Sequence, residues 1–214
     1  MRGLTKAVVL VAIWFIYAFA LRYLVPSDVT FGIYEPRRGW LIAHVAGGTA
    51  ALLLGPAQFW FALSGNYSVW HRIRGAGYVL SVGVSSTAAI SLALKTDFGW
   101  VFGVGMMALA LAWIATTGLA VTAVCRNLIQ QHKEWMIRSY TVTFAFVIFR
   151  AIVDVLEVAG IGTTTERLTV ASWFCWSVPL LITESILQGR KMFLSASASS
   201  PNFQELASHI RRSE

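Results

Sequence analysis

The stretch WVFGVGMMALALAWIATTGLAVTAV, residues 100–124, decides the fold class, because it is apolar throughout and carries no charged residue. A transmembrane α-helix needs about 20 consecutive apolar residues to cross about 30 Å of hydrocarbon. The whole chain is 57% hydrophobic and only 13% charged, a composition typical of membrane proteins and unlike that of water-soluble domains. We therefore interpret the chain as an integral membrane protein.

Six apolar stretches of this kind follow one another along the 214 residues. They cover approximately residues 6–23, 40–63, 74–94, 100–124, 135–158 and 168–187. Polar and glycine-containing segments separate them, which predicts short connections. We predict an all-α fold, a polytopic bundle of six transmembrane helices in a single domain at 1–192, followed by a cytoplasmic tail at 193–214.

Basic residues are distributed unevenly over the predicted connections, although the chain as a whole has 17 Lys+Arg against 10 Asp+Glu. With the amino terminus inside, the larger basic set is cytoplasmic and includes Arg72, Arg126 and Lys133, whereas the outer set is small. The positive-inside rule then places both termini in the cytoplasm. Topology explains the positive charge, so we expect membrane lipid and no nucleic acid as a partner, in a bacterial inner membrane.

The second helix carries a stripe of small and polar residues at steps of three and four, which lie on one face of a helix. The stripe consists of His44, Gly48, Ala51, Gly55 and Gln58. It should face the interior, since polar groups facing lipid are costly. Small residues let helices approach closely in a membrane, and we expect this role for Gly47, Gly48, Gly55, Gly75, Gly77, Gly83, Gly103 and Gly105.

The fifth helix carries a second stripe, which consists of Ser139, Thr143, Phe146, Arg150, Asp154 and Glu157. Arg150 and Asp154 are one helical turn apart and can pair. Two interpretations stay open. One is a structural ion pair near the outer surface. The other is an outer polar pocket, lined by His44, Arg150, Asp154 and Glu157, that binds an anion, a quinone head or a proton. Gln58 and Glu184 are further candidate residues for a ligand or proton pocket.

At the cytoplasmic side, His71 and His132 should lie at similar depth. Two neutral imidazoles on neighbouring helices suit the axial ligation of haem iron, whereas contact with lipid phosphate is the alternative for histidines beside cations. If haem binds, its propionates or a quinone would pair with Arg72, Arg74 or Arg138. Glu184 should reach the same depth and pair with Arg138 or Arg72. Cys125 and Cys175 are interpreted as reduced, buried thiols.

Several motifs together resemble a bacterial family of uncharacterised predicted membrane proteins over residues 40–155. They are Gly55-Pro56-x-Gln58, His71-Arg72-x-x-Gly75-x-x-Tyr78, Trp113-x-x-Thr116-Thr117 and His132-x-x-Trp135-Met136-x-Arg138-Ser139-Tyr140, with His44 and Arg150. A looser similarity is to the cytochrome b561-like haem-binding bundles, which implies haem b as a possible cofactor. Because His44 has no outer histidine partner, that similarity implies at most one haem, held by His71 and His132.

Three hypotheses for the function follow. The first is a small redox or ligand-binding membrane protein with a b-type haem or a quinone at the cytoplasmic side. The second is a transporter or ion conductor with a polar path through His44, Arg150, Asp154 and Glu184. The third is a non-catalytic assembly protein that binds another membrane protein. No motif assigns an enzymatic reaction.

Overall fold

The computed structural model describes residues 2–24, 31–63 and 69–198, and every element in these ranges is helical. A π-helical turn (Ile16–Ala20) joins the first two helices, and a 3₁₀ helix (Gly32–Arg37) precedes the third. The α-helices are α1 (Arg2–Phe15), α2 (Leu21–Leu24), α3 (Arg38–Leu63), α4 (Val69–Ala93), α5 (Trp100–Cys125), α6 (Ile129–Thr143), α7 (Ala145–Val158) and α8 (Thr164–Ala198). The prediction of an all-α fold is confirmed.

Four helical segments are long and apolar enough to cross a membrane: Gly32–Phe59, Val69–Ala93, Trp100–Cys125 and Thr164–Phe193. A shorter apolar segment covers Ala7–Ala20. By length and composition, therefore, the described residues support four crossings, and the other two of the six predicted crossings correspond to shorter helices.

The predicted fifth helix is divided at Phe144 into α6 and α7. Just before the division, the Thr143 hydroxyl donates to the carbonyl of Ser139, 3.0 Å away and four residues earlier. Such bonds compete with the backbone ladder and bend helices. Bonds of the same kind from Thr87 and Thr116 leave α4 and α5 unbroken, so this bond alone does not account for the division, which the apolar pattern of the sequence does not reveal.

The helices alternate in direction, and two contacts identify the ends of the bundle. At one end, Arg37 at the start of α3 pairs with Asp97 in the α4–α5 loop at 2.8 Å. At the other, Lys191 near the end of α8 pairs with Glu134 near the start of α6 at 2.6 Å. We call these the α4–α5 end and the α5–α6 end. The closest pairs of neighbours include α3 with α4, α5 with α6, and α7 with α8.

Glycines allow the close helix contacts that the sequence predicts. A Cβ atom on Gly47 would lie 2.9 Å from the Ser81 carbonyl oxygen, and one on Gly48 would lie 2.8 Å from the Phe146 ring. Cβ atoms on Gly55 and Gly105 would overlap Tyr140 and Ser172, and one on Gly103 would meet Ala93. The prediction is wrong for Gly83, where a Cβ atom would meet no atom within 4 Å.

The outer surface of the bundle is apolar, as a lipid-facing surface should be. Trp70 and Trp100, both at helix starts, are 65% and 78% exposed, which suits anchors at the headgroup level. Cys175 is buried as expected, but Cys125 is exposed at the end of α5, so the prediction of burial is wrong for this residue. The helix α8 continues past residue 192 to Ala198, and the rest of the predicted tail lies outside the described residues.

Candidate functional site

The stripe on the second helix faces the interior, as predicted. Ala51 and Gln58 are buried, and Gly48 and Gly55 pack against aromatic rings of α7 and α6. His44 lies at the start of the stripe and is fixed by α4. Its Nδ1 lies 3.0 Å from the Ser85 carbonyl oxygen, and the Ser85 hydroxyl donates in return to the His44 carbonyl at 2.8 Å.

This pairing determines which nitrogen of His44 faces outward as an acceptor. In a neutral imidazole, a ring nitrogen that donates to a carbonyl carries the proton, and the other nitrogen has a lone pair. Nδ1 therefore donates to Ser85, and Nε2 is the acceptor. Within the described ranges of the chain, Nε2 makes no hydrogen bond.

His44 borders a cavity of about 370 Å³ near the α4–α5 end. Helices α3, α5 and α7 form much of its wall, together with the α1–α2 segment and the last turn of α4. Most of the lining is apolar, and the polar groups include Thr49, Thr96 and Arg150. Aromatic rings are prominent, among them Phe15, Phe19, Tyr23, Tyr34, Phe102 and Phe149.

Arg150 pairs with Asp154, as the spacing predicts. The two contacts are 2.7 Å from Nη2 and 3.1 Å from Nε to the carboxylate oxygens, and both side chains are partly exposed. The guanidinium carbon also lies 5.1 Å from the centre of the Phe19 ring. Glu157 is exposed, and neither Asp154 nor Glu157 lines the cavity. The structure thus brings His44 and Arg150 to one cavity and leaves the two carboxylates outside it.

A second polar group forms an ion-pair network at the α5–α6 end. Arg138, only 7% exposed, pairs with Glu184 at 2.6 Å and lies 3.8 Å from Glu134. Of the two partners proposed for Glu184, Arg138 is the one observed. Glu134 was not among the candidate residues, although its spacing of four from Arg138 was a signal. The network has two cations and two carboxylates, completed by Lys191.

The two cytoplasmic histidines lie at this same end. His132 Nδ1 is 2.9 Å from the Ala120 carbonyl, and His71 lies within electrostatic range of His132 and Arg74. Gln58 donates to the His71 carbonyl at 2.9 Å, so Gln58 belongs here and not to the cavity. Arg72 is exposed.

Space beside these histidines bears on the haem hypothesis. Neither the cavity nor a second, open groove of about 350 Å³ is bordered by His71 or His132. The groove is lined instead by Trp135, Arg138 and Glu184, among others. The orientation of His132 fits an axial ligand, since its Nδ1 donates to a carbonyl, but neither of these two spaces adjoins it.

Between the two ends lies a buried set of hydrogen-bonded side chains that we call the hydroxyl core. Its members are Tyr78, Trp113, Thr117, Ser139 and Thr143. Tyr78 Oη lies 2.8 Å from Ser139 Oγ and 2.7 Å from Thr143 Oγ1. The other two contacts, from Thr117 to Ser139 and from Trp113 to Thr143, are 2.7 and 2.9 Å.

The contacts of the hydroxyl core fit a consistent set of donors. If the Thr143 proton lies on the Ser139 carbonyl, Tyr78 donates to Thr143, because a hydroxyl has a single proton. Ser139 then donates to Tyr78, and Thr117 to Ser139. In this arrangement every donor of the core is used, and the chain of hydrogen bonds ends on a backbone carbonyl.

The sequence did not identify this core as a unit. Tyr78, Trp113, Thr117 and Ser139 occur in the motifs of the family resemblance, but on three separate helices, and only packing brings them together. Tyr78 follows His71 by seven residues and Ser139 follows His132 by seven, and this equal spacing was the available signal.

Comparison with known proteins gives one match. A family model described as predicted membrane protein (DUF2306) matches residues 41–187, a range that contains the hydroxyl core, the ion-pair network except for Lys191, and most of the cavity wall. No curated protein matches the chain, and no solved structure does. The match covers more than half of the chain, so the protein belongs to the DUF2306 family of predicted membrane proteins.

Proposed function

We propose that this membrane protein binds a neutral, lipid-soluble molecule with a hydrogen-bonding head, of the quinone class, in the cavity at the α4–α5 end. The observation that carries the proposal is the acceptor nitrogen of His44, held by Ser85 and directed away from it, on the wall of an apolar cavity. The proposed site corresponds to the outer pocket of His44 and Arg150 that the sequence suggested, and it lies at the opposite end from the alternative quinone or haem site at the cytoplasmic side.

The size and lining of the cavity favour a flat, apolar ligand. Small-molecule sites typically have volumes of roughly 300 to 1,000 Å³ and combine apolar walls with a few polar groups. The cavity has about 370 Å³, which suits a ring with part of a tail. Aromatic walls favour stacking with a planar ring.

Charge favours a neutral head over an anionic one. Arg150 is the one charged residue among those that line the cavity, and its charge is balanced by Asp154 at 2.7 Å. A carboxylate ligand would bring an uncompensated negative charge into a mostly apolar site, which is costly. A quinone carbonyl needs only a donor, such as a guanidinium N–H, and the hydroquinone hydroxyl can donate to His44 Nε2.

The binding experiment uses the purified protein in detergent and decyl-ubiquinone, with decanoate as the anionic comparison. We expect saturable binding of the quinone and much weaker binding of decanoate. Ala89→Met should block binding, because residue 89 lines the cavity. The matched control is Ala76→Met on an exposed position of the same helix. Equal binding by Ala89→Met and the wild type would contradict the proposal.

A single b-type haem between His71 and His132 is the second hypothesis, supported by the hydrogen bond from His132 Nδ1 to the Ala120 carbonyl. Arg72, Arg74 and Arg138 are the proposed propionate partners. A reduced-minus-oxidised spectrum of the purified protein tests it, and b-type bands that disappear in His132→Ala would support it. We place it second because neither cavity borders these histidines.

The two other hypotheses have less support. A conducting path for ions from His44 and Arg150 to Glu184 would have to pass the buried hydroxyl core, where an ion would lose its water at a high cost. Asp154, the remaining member of that path, is bound to Arg150. An assembly role with another membrane protein would not explain why the protein contains the cavity.

We also propose that the chain crosses a bacterial inner membrane six times, as one domain over residues 1–192 with both termini in the cytoplasm. The alternating helix directions support this, with α1–α2 as the first crossing and α6–α7 as the fifth. Labelling with a membrane-impermeant maleimide tests it in a background without Cys125 and Cys175. Ile161→Cys should react from outside and Gln130→Cys should not; the reverse pattern would overturn the orientation.

A further inference from the structure

The segment that leads from α1 into α2 is not a regular helix. The Leu21 N–H donates to the carbonyl of Ile16, five residues earlier, so the turn Ile16–Ala20 is π-helical. One extra residue in a helical turn rotates everything after it by about 100° relative to what comes before. Such turns are rare and occur frequently at functional sites.

The π-helical turn determines which side chains reach the cavity. Phe15, Phe19, Ala20 and Tyr23 all line it. In an uninterrupted α-helix, residues 15 and 20 would point about 140° apart, and residues 15 and 23 about 80° apart. The extra residue returns the later side chains to the face that Phe15 occupies.

Phe19 is the member of this set that contacts a charged group. Its ring centre lies 5.1 Å from the Arg150 guanidinium carbon, within the range of a cation–π interaction. The Phe15 and Trp14 rings pack against it, with centres 5.4 and 5.7 Å away. The aromatic contacts therefore fix the ring that Arg150 meets.

Arg150 is consequently held from two sides. Asp154 takes the Nε and Nη2 donors, and Phe19 packs against the guanidinium. Within the part of the chain that the structure describes, Nη1 makes no hydrogen bond. A long cationic side chain near a membrane surface otherwise extends towards water, so a contact that retains Arg150 on the cavity wall changes what a ligand meets there.

We propose that Phe19, which lies in the π-helical turn, is a positioning residue for ligand binding: its ring keeps Arg150 on the cavity wall, where Nη1 can donate to a carbonyl oxygen of the ligand. This inference rests on the proposed function and specifies which donor the cavity offers.

The test measures the affinity of the purified protein for decyl-ubiquinone. Phe19→Leu keeps an apolar side chain but removes the aromatic face, and we expect it to weaken binding roughly three- to tenfold. Phe19→Tyr keeps the face and should bind like the wild type. The matched control is Tyr17→Leu, at a position 77% exposed in the same π-helical turn, which should leave the affinity unchanged.

Two further variants test how Phe19 and the π-helical turn affect ligand binding. In an Arg150→Gln background, Phe19→Leu should cause no additional loss, because Phe19 acts through Arg150. Deletion of the exposed Ala18 removes the extra residue and should restore a regular helix with Phe15 and Tyr23 about 20° apart, still on one face, so binding should stay close to that of the wild type.

The outcomes separate this inference from the proposed function. If the wild type binds the quinone and Phe19→Leu binds it equally well, the positioning role is overturned and the quinone site stands. An equal loss in Phe19→Leu and Phe19→Tyr, or an undiminished loss in the Arg150→Gln background, would also overturn it. If the wild type does not bind the quinone, both proposals fail.

Discussion

The hydroxyl core and the cavity are neighbouring parts of one bundle that use polar side chains in opposite ways. In the hydroxyl core, every hydroxyl is hydrogen-bonded and Tyr78 is fully buried. In the cavity, His44 Nε2 and Arg150 Nη1 make no hydrogen bond to the described residues. Trp113 belongs to both, since it lines the cavity and donates to Thr143.

The difference shows how to distinguish structural polar residues from binding residues in a membrane interior. A polar group without a partner is costly in an apolar environment, so a saturated network needs no explanation beyond stability. Groups with unused hydrogen-bonding capacity beside an empty volume are the ones that a ligand can satisfy. By this criterion Tyr78 has a structural role, whereas His44 is the residue that we propose for binding.

The packing of α3 against α4 supports both regions, and breaking it should have the largest effect. Gly47→Val would press a side chain against the Ser81 carbonyl, 2.9 Å from the position of a Cβ atom. We expect a loss of about 3 kcal/mol in unfolding free energy, measured by thermal unfolding in detergent, together with weaker quinone binding. Gly83→Val is the control, because a Cβ atom there meets nothing within 4 Å; equal losses in both variants would refute the packing argument.

Removing one hydroxyl from the core should affect stability alone. Tyr78→Phe leaves Ser139 without its acceptor and Thr143 without a donor, which should cost about 2 kcal/mol. Quinone affinity should stay at the wild-type level. Tyr17→Phe, at a position 77% exposed, should change neither quantity. A selective loss of quinone affinity in Tyr78→Phe would contradict the proposal that the hydroxyl core contributes to stability and not to ligand binding.

A change in the cavity should show the opposite pattern. His44→Asn keeps a donor near the position of Nδ1 for the Ser85 carbonyl but removes Nε2. We expect the affinity for decyl-ubiquinol, whose hydroxyl can donate to Nε2, to fall roughly tenfold, or about 1.4 kcal/mol, with little change in the unfolding midpoint. His132→Asn, at the other end of the bundle, should bind the quinol normally. Normal binding of decyl-ubiquinol by His44→Asn would remove His44 from the site.

The ion pair that joins α3 to the α4–α5 loop should matter least. Asp97 is more than half exposed where it meets Arg37, and exposed pairs contribute little. Asp97→Asn should lower the unfolding free energy by about 0.5 kcal/mol, and the effect should vanish in high salt. A loss as large as that of Tyr78→Phe would mean that this loop, which also borders the cavity at Thr96, is a structural support of the site.

The stripes of His44 and Arg150 were predictable because their spacing reports a helix face directly. The Arg150–Asp154 pair followed from the same rule. The break at Phe144 was not predictable from hydropathy, because the apolar pattern runs through this position without interruption. Gln58 was assigned to the correct face but to a different group of residues, since a stripe of several turns spans more than one environment.

The π-helical turn was also invisible in the sequence. Residues 16–20 read as an ordinary apolar helix, and the extra residue in the turn shows only in the bond from Leu21 to Ile16. The positions of Ala20 and Tyr23 on the cavity wall depend on that bond.

The sequence alone determined that the chain is a helical membrane protein, because length and hydrophobicity decide whether a segment is compatible with lipid. It also determined which face of α3 and α6 points inward, since helix periodicity is a local property. Only the tertiary structure decided that Tyr78, Ser139 and Thr143 form one saturated network while His44 and Arg150 face an open volume. The physical reason is that hydrogen-bond partners and empty space arise between helices, at distances along the chain that no local pattern encodes.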